Sequence, residues 1–120
     1  MLNPITKEFL WNVRVYFEDT DAGGVVYHAS YLKFFERART EFLRLIGWNQ
    51  QELLEMQTCA FVVSDLSIQF KRPAKLDDEL QIRTTLKSLR RASFVFDQRA
   101  YKGDMLMTAA EVRVVCIDPK

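Results

Sequence analysis

At 120 residues the chain is sized for one domain, residues 1–120, with room for a real core. Its 17 Lys+Arg and 16 Asp+Glu leave a formal charge of +1, which provides no field to draw in nucleic acid or an anionic membrane. Hydrophobic residues at 48% exclude a disordered chain, and no apolar run reaches the length of a transmembrane segment.

The N-terminus, MLNPITKEFLWN, lacks the basic and apolar regions of a secretion signal, so the expected compartment is the cytoplasm. Phe9 to Phe17, FLWNVRVYF, is rich in aromatic and β-branched residues and reads as a strand. Glu18 to His28, EDTDAGGVVYH, then gathers three carboxylates, two adjacent glycines and the sole histidine. Mutually repelling acids and a Gly-Gly pair cost stability, which marks the stretch as a candidate site; an ordinary surface turn is the competing reading. From Ser30 to Ile46 the apolar residues Tyr31, Phe34, Phe35, Ala38, Phe42, Leu45 and Ile46 recur at steps of three and four, which predicts an amphipathic helix about 25 Å long. Ser30 is its expected N-cap and Gly47 the residue past its end.

A short helical stretch is expected near Asn49 to Met56, then strands at Ala60–Lys71, Glu79–Leu89, Ser93–Tyr101 and Met105–Ile117. Leu80, Ile82, Thr84 and Leu86 alternate with polar neighbours, as do Val112 and Val114. Turns at Leu89-Arg90-Arg91-Ala92 and Lys102-Gly103-Asp104 make the late strands an antiparallel meander. The predicted class is α+β, a long central helix wrapped by a curved antiparallel sheet. Cys59 and Cys116 are far apart, with no C-x-x-C and no second histidine, so neither a metal site nor a redox pair is encoded, and both are expected as buried thiols.

A strand, D-x-D-x-x-G-x-V-x-x-x-x-Y, one long helix and a later K-R-P-A-K-L-D-D-E-L together resemble the hotdog-fold acyl-CoA thioesterases. Within them the chain is most similar to the YbgC-type thioesterases associated with the Tol-Pal system, themselves similar to 4-hydroxybenzoyl-CoA thioesterase. The likeness spans nearly the whole chain, and Arg14 to Arg39 is its most specific part. It implies a single hotdog domain that hydrolyses the thioester of acyl-CoA, or of an acyl carrier protein, with no cofactor or metal. It also implies a homo-oligomer with sites between subunits, a tetramer built as a dimer of dimers. A module that binds acyl-CoA or acyl carrier protein without turnover is the alternative, since fold does not fix function.

The resemblance makes Asp21 the catalytic carboxylate, as nucleophile or general base, and assigns His28 to orient it, stabilise its charge or protonate the leaving thiolate. Amides at the helix start, from His28 to Tyr31, have no intrahelical acceptor and can hold a developing oxyanion. Gly24, Tyr27 and Tyr31 are candidate substrate contacts, with core packing the competing role for the tyrosines and turn formation for the glycine. Coenzyme A carries phosphates, for which Arg90, Arg91 and the pair Lys71-Arg72 are candidates. Glu18 and Asp19 read as loop or turn acids, with tuning of Asp21 as the alternative role. Some hotdog thioesterases carry their acid on the central helix, which makes Glu36 a competing site. No G-x-S-x-G is present for a serine hydrolase. Hydratases of this fold set aspartate and histidine closer, around Asn-Pro, where Gly-Gly stands here.

Overall fold

The computed structural model describes residues 8–47, 60–90 and 92–118. Strand β1 (Phe9–Arg14) leads through a 3-10 turn (Phe17–Asp19) into helix α1 (His28–Leu45), and four long strands follow: β2 (Ala60–Phe70), β3 (Glu79–Arg90), β4 (Ser93–Lys102) and β5 (Met105–Ile117). They form one antiparallel sheet in the order β1-β3-β4-β5-β2. The α+β expectation therefore holds, down to the β3-β4-β5 meander. The predicted helix near Asn49 to Met56 lies outside the described residues, as do Cys59 and Arg91.

The sheet turns one face to α1. Alternation brings Leu80, Ile82 and Thr84 of β3 and Phe94, Phe96 and Gln98 of β4 inward, all buried. Against them α1 lays Phe34, Phe35, Ala38 and Phe42, the last edge-on to Phe96 at 6.0 Å and tilted against Phe9 at 5.9 Å. Irregular register between Val63 and Asp65, Leu86 and Ser88, and Ala100 and Tyr101 bends the strands, which is how a sheet wraps a single helix.

Three local expectations are corrected. β1 stops at Arg14 rather than Phe17, because the Tyr16 N–H leaves the ladder to donate to Asp19 Oδ2 at 2.9 Å. α1 starts two residues before Ser30, with Tyr27 as its cap; Ser30 is buried and its hydroxyl donates to the Asp19 carbonyl instead. Gly47 does end the helix, at φ +95°. Cys116 is half-buried and disulfide-bonded, not a thiol.

The connection from β2 to β3, residues 71–78, must pass from one edge of the sheet to a strand near the other. On the way it ties down the loop before α1. Val26 N–H donates to the Ala74 carbonyl at 2.8 Å, Val25 bridges Lys75, and Val15 exchanges backbone hydrogen bonds with Asp77 and Asp78.

Candidate active site

The eleven residues from Glu18 to His28 form a closed turn whose anchor is Asp19. Its side chain is buried, holds Tyr16 N–H, and lies 3.7 Å from Lys33 Nζ; its carbonyl accepts both Tyr27 N–H and the Ser30 hydroxyl. Asp19 is thus committed to joining the loop to α1. Thr20 and Val26 pair as an isolated bridge, so Asp21 begins a tight reversal that closes with Gly24 N–H on the Asp21 carbonyl at 3.0 Å. Gly24 sits at φ +79°, which a residue with a Cβ rarely adopts. Asp21 Oδ1 accepts Gly23 N–H at 2.9 Å, and a Cβ at Gly23 would lie 3.2 Å from that oxygen. The carboxylate is exposed and tied by one oxygen only.

His28 is the first residue of α1, exposed, with its ring stacked on Phe70 of β2 at 4.4 Å and on Tyr27 at 6.2 Å. No hydrogen bond or ion pair joins it to Asp21. Ser30 N–H is used by the Tyr27 carbonyl, so the unengaged amides of the first turn are those of His28 and Ala29. This narrows the candidate oxyanion donors to two adjacent N–H groups at the positive end of the helix.

Beside them lies a pocket of about 200 Å³ lined by Val25, Val26, His28, Tyr31, Phe70 and the run from Lys71 to Pro73. Tyr31 is buried and serves as floor. Its hydroxyl and that of Thr108 lie close together without a completed hydrogen bond, and burial pushes the phenol above its ordinary pKa, so it stays neutral throughout the physiological range. Phe70, unremarked in the sequence because it looks like any strand aromatic, forms the wall facing His28.

The structure brings His28, Tyr31, Lys71 and Arg72 to one pocket, with Tyr27 at its exposed shoulder. Asp21 and Gly24 occupy the neighbouring turn and do not line it. Arg90 sits elsewhere: it pairs with Ser93, which pairs with Val115, whereas Phe70 pairs with Thr108, so about half the length of β5 separates Arg90 from the pocket in one chain. Glu36 lies two turns along α1. Among the described residues no cluster of His, Cys, Asp and Glu is arranged to hold a metal, and no helix is long and apolar enough to cross a membrane.

Known proteins resemble this chain in sequence and in fold. The sequence model of the Thioesterase superfamily matches residues 23–109. "Acyl-CoA thioesterase YbgC" of Haemophilus influenzae is 52% identical over 92% of this chain and 81% of its own length. "Acyl-CoA thioester hydrolase YbgC" of Escherichia coli is 53% identical over 95% of this chain and 85% of its own. A probable thioesterase from Bartonella henselae superposes with a TM-score of 0.87 at 41% identity, covering 92% of each chain.

Proposed function

The chain belongs to the thioesterase superfamily, and from that premise we propose that it hydrolyses acyl-CoA thioesters at the start of α1. The observation that carries the reading is the pair of unengaged amides at His28 and Ala29, set between a pocket and a turn that holds an exposed carboxylate. The thioester carbonyl oxygen takes the two N–H groups, so negative charge developing there meets donors already in place. Asp21 supplies the attack, directly or by taking the proton of a water. Water is added across the carbonyl–sulfur bond, giving free acid and CoA thiol. His28 contributes its amide and, with its ring packed on Phe70, a wall for the substrate. Lys71 and Arg72 are the cations nearest the pocket for the phosphates of CoA. The relatives are named for acyl-CoA, which favours CoA over a carrier protein as the form of the substrate.

The site belongs to an oligomer in this reading. Asp21 does not line the pocket of its own chain, and among the described residues β2 is an edge strand, 11 residues long, with Val63, Leu66 and Phe70 exposed. Antiparallel pairing of two β2 edges would bring the Arg90 end of one subunit toward the Phe70 end of the other, which would give Arg90 a part in binding CoA. Two such dimers make the tetramer. The cytoplasm is the compartment a CoA-linked substrate requires; a disulfide at Cys116 is unusual there, and cell fractionation decides.

Thiol release from short, long and aromatic acyl-CoAs by wild type and Asp21→Asn tests the proposal. Turnover falling by about 10²–10⁴-fold in the variant, with binding retained, supports it. Binding of acyl-CoA without turnover by either protein would return the chain to the class of non-catalytic binding modules.

A further inference from the structure

A second concavity, of about 100 Å³, opens beside α1 away from the His28 pocket. Glu36, Arg39 and Thr40 line it from the helix, with Phe61 and Val62 of β2 and Phe96 of β4 as apolar walls. Arg39 is the unusual member. It is 8% exposed, its Nη1 donates to Gln98 Oε1 at 2.9 Å, and no carboxylate among the described residues makes an ion pair with it. Gln98 is fixed in turn, donating to the Phe35 carbonyl at 2.9 Å and to Thr84 Oγ1 at 3.0 Å, so the guanidinium cannot swing away with its acceptor. A guanidinium carries five N–H donors. The nitrogens that Gln98 leaves unused are neither hydrogen-bonded nor sealed from open space, and the space Arg39 borders is this concavity.

A nearly buried cation among apolar walls is costly unless something accepts its protons. Burial lowers the Arg39 pKa, against which only the field of Glu36, one turn back, acts. Glu36 borders the same space and accepts the Thr40 hydroxyl at 2.7 Å, with lone pairs to spare. A donor and an acceptor facing one small volume fit a hydroxyl, which accepts from Arg39 and donates to Glu36. A methyl end would leave the guanidinium desolvated and unpaired, and a carboxylate end would pair with Arg39 but meet the charge of Glu36 across the same small space.

We infer that this concavity receives the far end of the acyl group, and that Arg39 and Glu36 select acyl groups bearing a hydroxyl there. The inference rests on the thioester being seated at the start of α1. The eight-residue step from His28 to Glu36 is about 12 Å along the helix, which a medium-length acyl chain spans.

The test compares decanoyl-CoA, ω-hydroxydecanoyl-CoA and the mono-CoA ester of decanedioic acid, by kcat/KM in wild type, Arg39→Met and Glu36→Gln, and by calorimetric binding to Asp21→Asn. Wild type should favour the hydroxyl over the methyl end by about tenfold, and the ratio should fall toward one in both variants. Glu36→Gln should also improve the dicarboxylate relative to the others. Because Glu36 is exposed, that variant is informative even where Arg39→Met does not fold. Equal kcat/KM for the hydroxyl and methyl ends in wild type overturns the inference and leaves the hydrolase reading standing. Loss of all turnover in Glu36→Gln overturns it too, making Glu36 a catalytic acid. If no ester is hydrolysed, the hydrolase reading fails and binding decides: tighter binding of the hydroxyl end, lost on adding Glu36→Gln, upholds the inference, and equal affinity ends it.

Discussion

Gly24 has open space where a Cβ would go, so Gly24→Ala meets no clash, only the strain of its φ of +79°. The expected cost is about 1–2 kcal/mol by chemical denaturation. A neutral result would mean that the turn relaxes to another conformation, and activity should then change with it. The three acids of this turn carry different burdens that their spacing did not reveal. Asp19 is buried because Lys33, from the next helix, and three backbone groups around it converge there, and such convergence is a property of the fold. Asp21, the residue we propose for the attack, stands out in the sequence through its glycines and its resemblance to a family pattern. Phe70 and Ala29 do not: one is an ordinary strand aromatic, and the other would act only through its amide.

At the scale of elements, period two and period 3.6 carried the strands and the helix, because each element buries one face. Helix starts read less well. Ser30 has the side chain of a cap, but the carbonyl of Asp19 takes its hydroxyl, and α1 runs back to His28. The 71–78 connection holds the site loop and has its own anchor in Asp78. Burial pushes that carboxyl up, yet the Lys75 N–H at 2.9 Å and the Lys102 ammonium at 3.0 Å outweigh it and hold it below the usual carboxylate range. A group depressed on folding stabilises above its unfolded pKa, and that stability is lost as pH falls through the folded one. Asp78→Asn should therefore cost on the order of 1 kcal/mol at neutral pH, with the difference from wild type closing below about pH 4. Denaturation midpoints across that range check it; a gap independent of pH would assign the effect to packing.

For the whole molecule, strand order was the part that local pattern could not supply, since β1 and β2 stand at opposite edges although they are consecutive strands in the chain. The disulfide at Cys116 is illegible in the sequence for a similar reason: separation along the chain says nothing of separation in space. The edge strand β2 leads to a prediction about mass. Light scattering should give a dimer or tetramer of the 14.1 kDa chain, and Val63→Lys, placing a charge on that edge, should shift it toward monomer and lower turnover in parallel. A monomeric wild type with full activity would overturn the proposal of a site shared between subunits.

The strap from β2 to β3 also has a consequence in time. The loop that carries Asp21 has no ladder of its own beyond isolated bridges, and the partner it leans on, residues 74–78, exists in place only once strands near both edges have docked. Closing such distant segments comes late in folding. On refolding from denaturant the sheet should regain its far-ultraviolet signal first and hydrolysis afterwards. A chain stopped between those two moments would look folded and be inert.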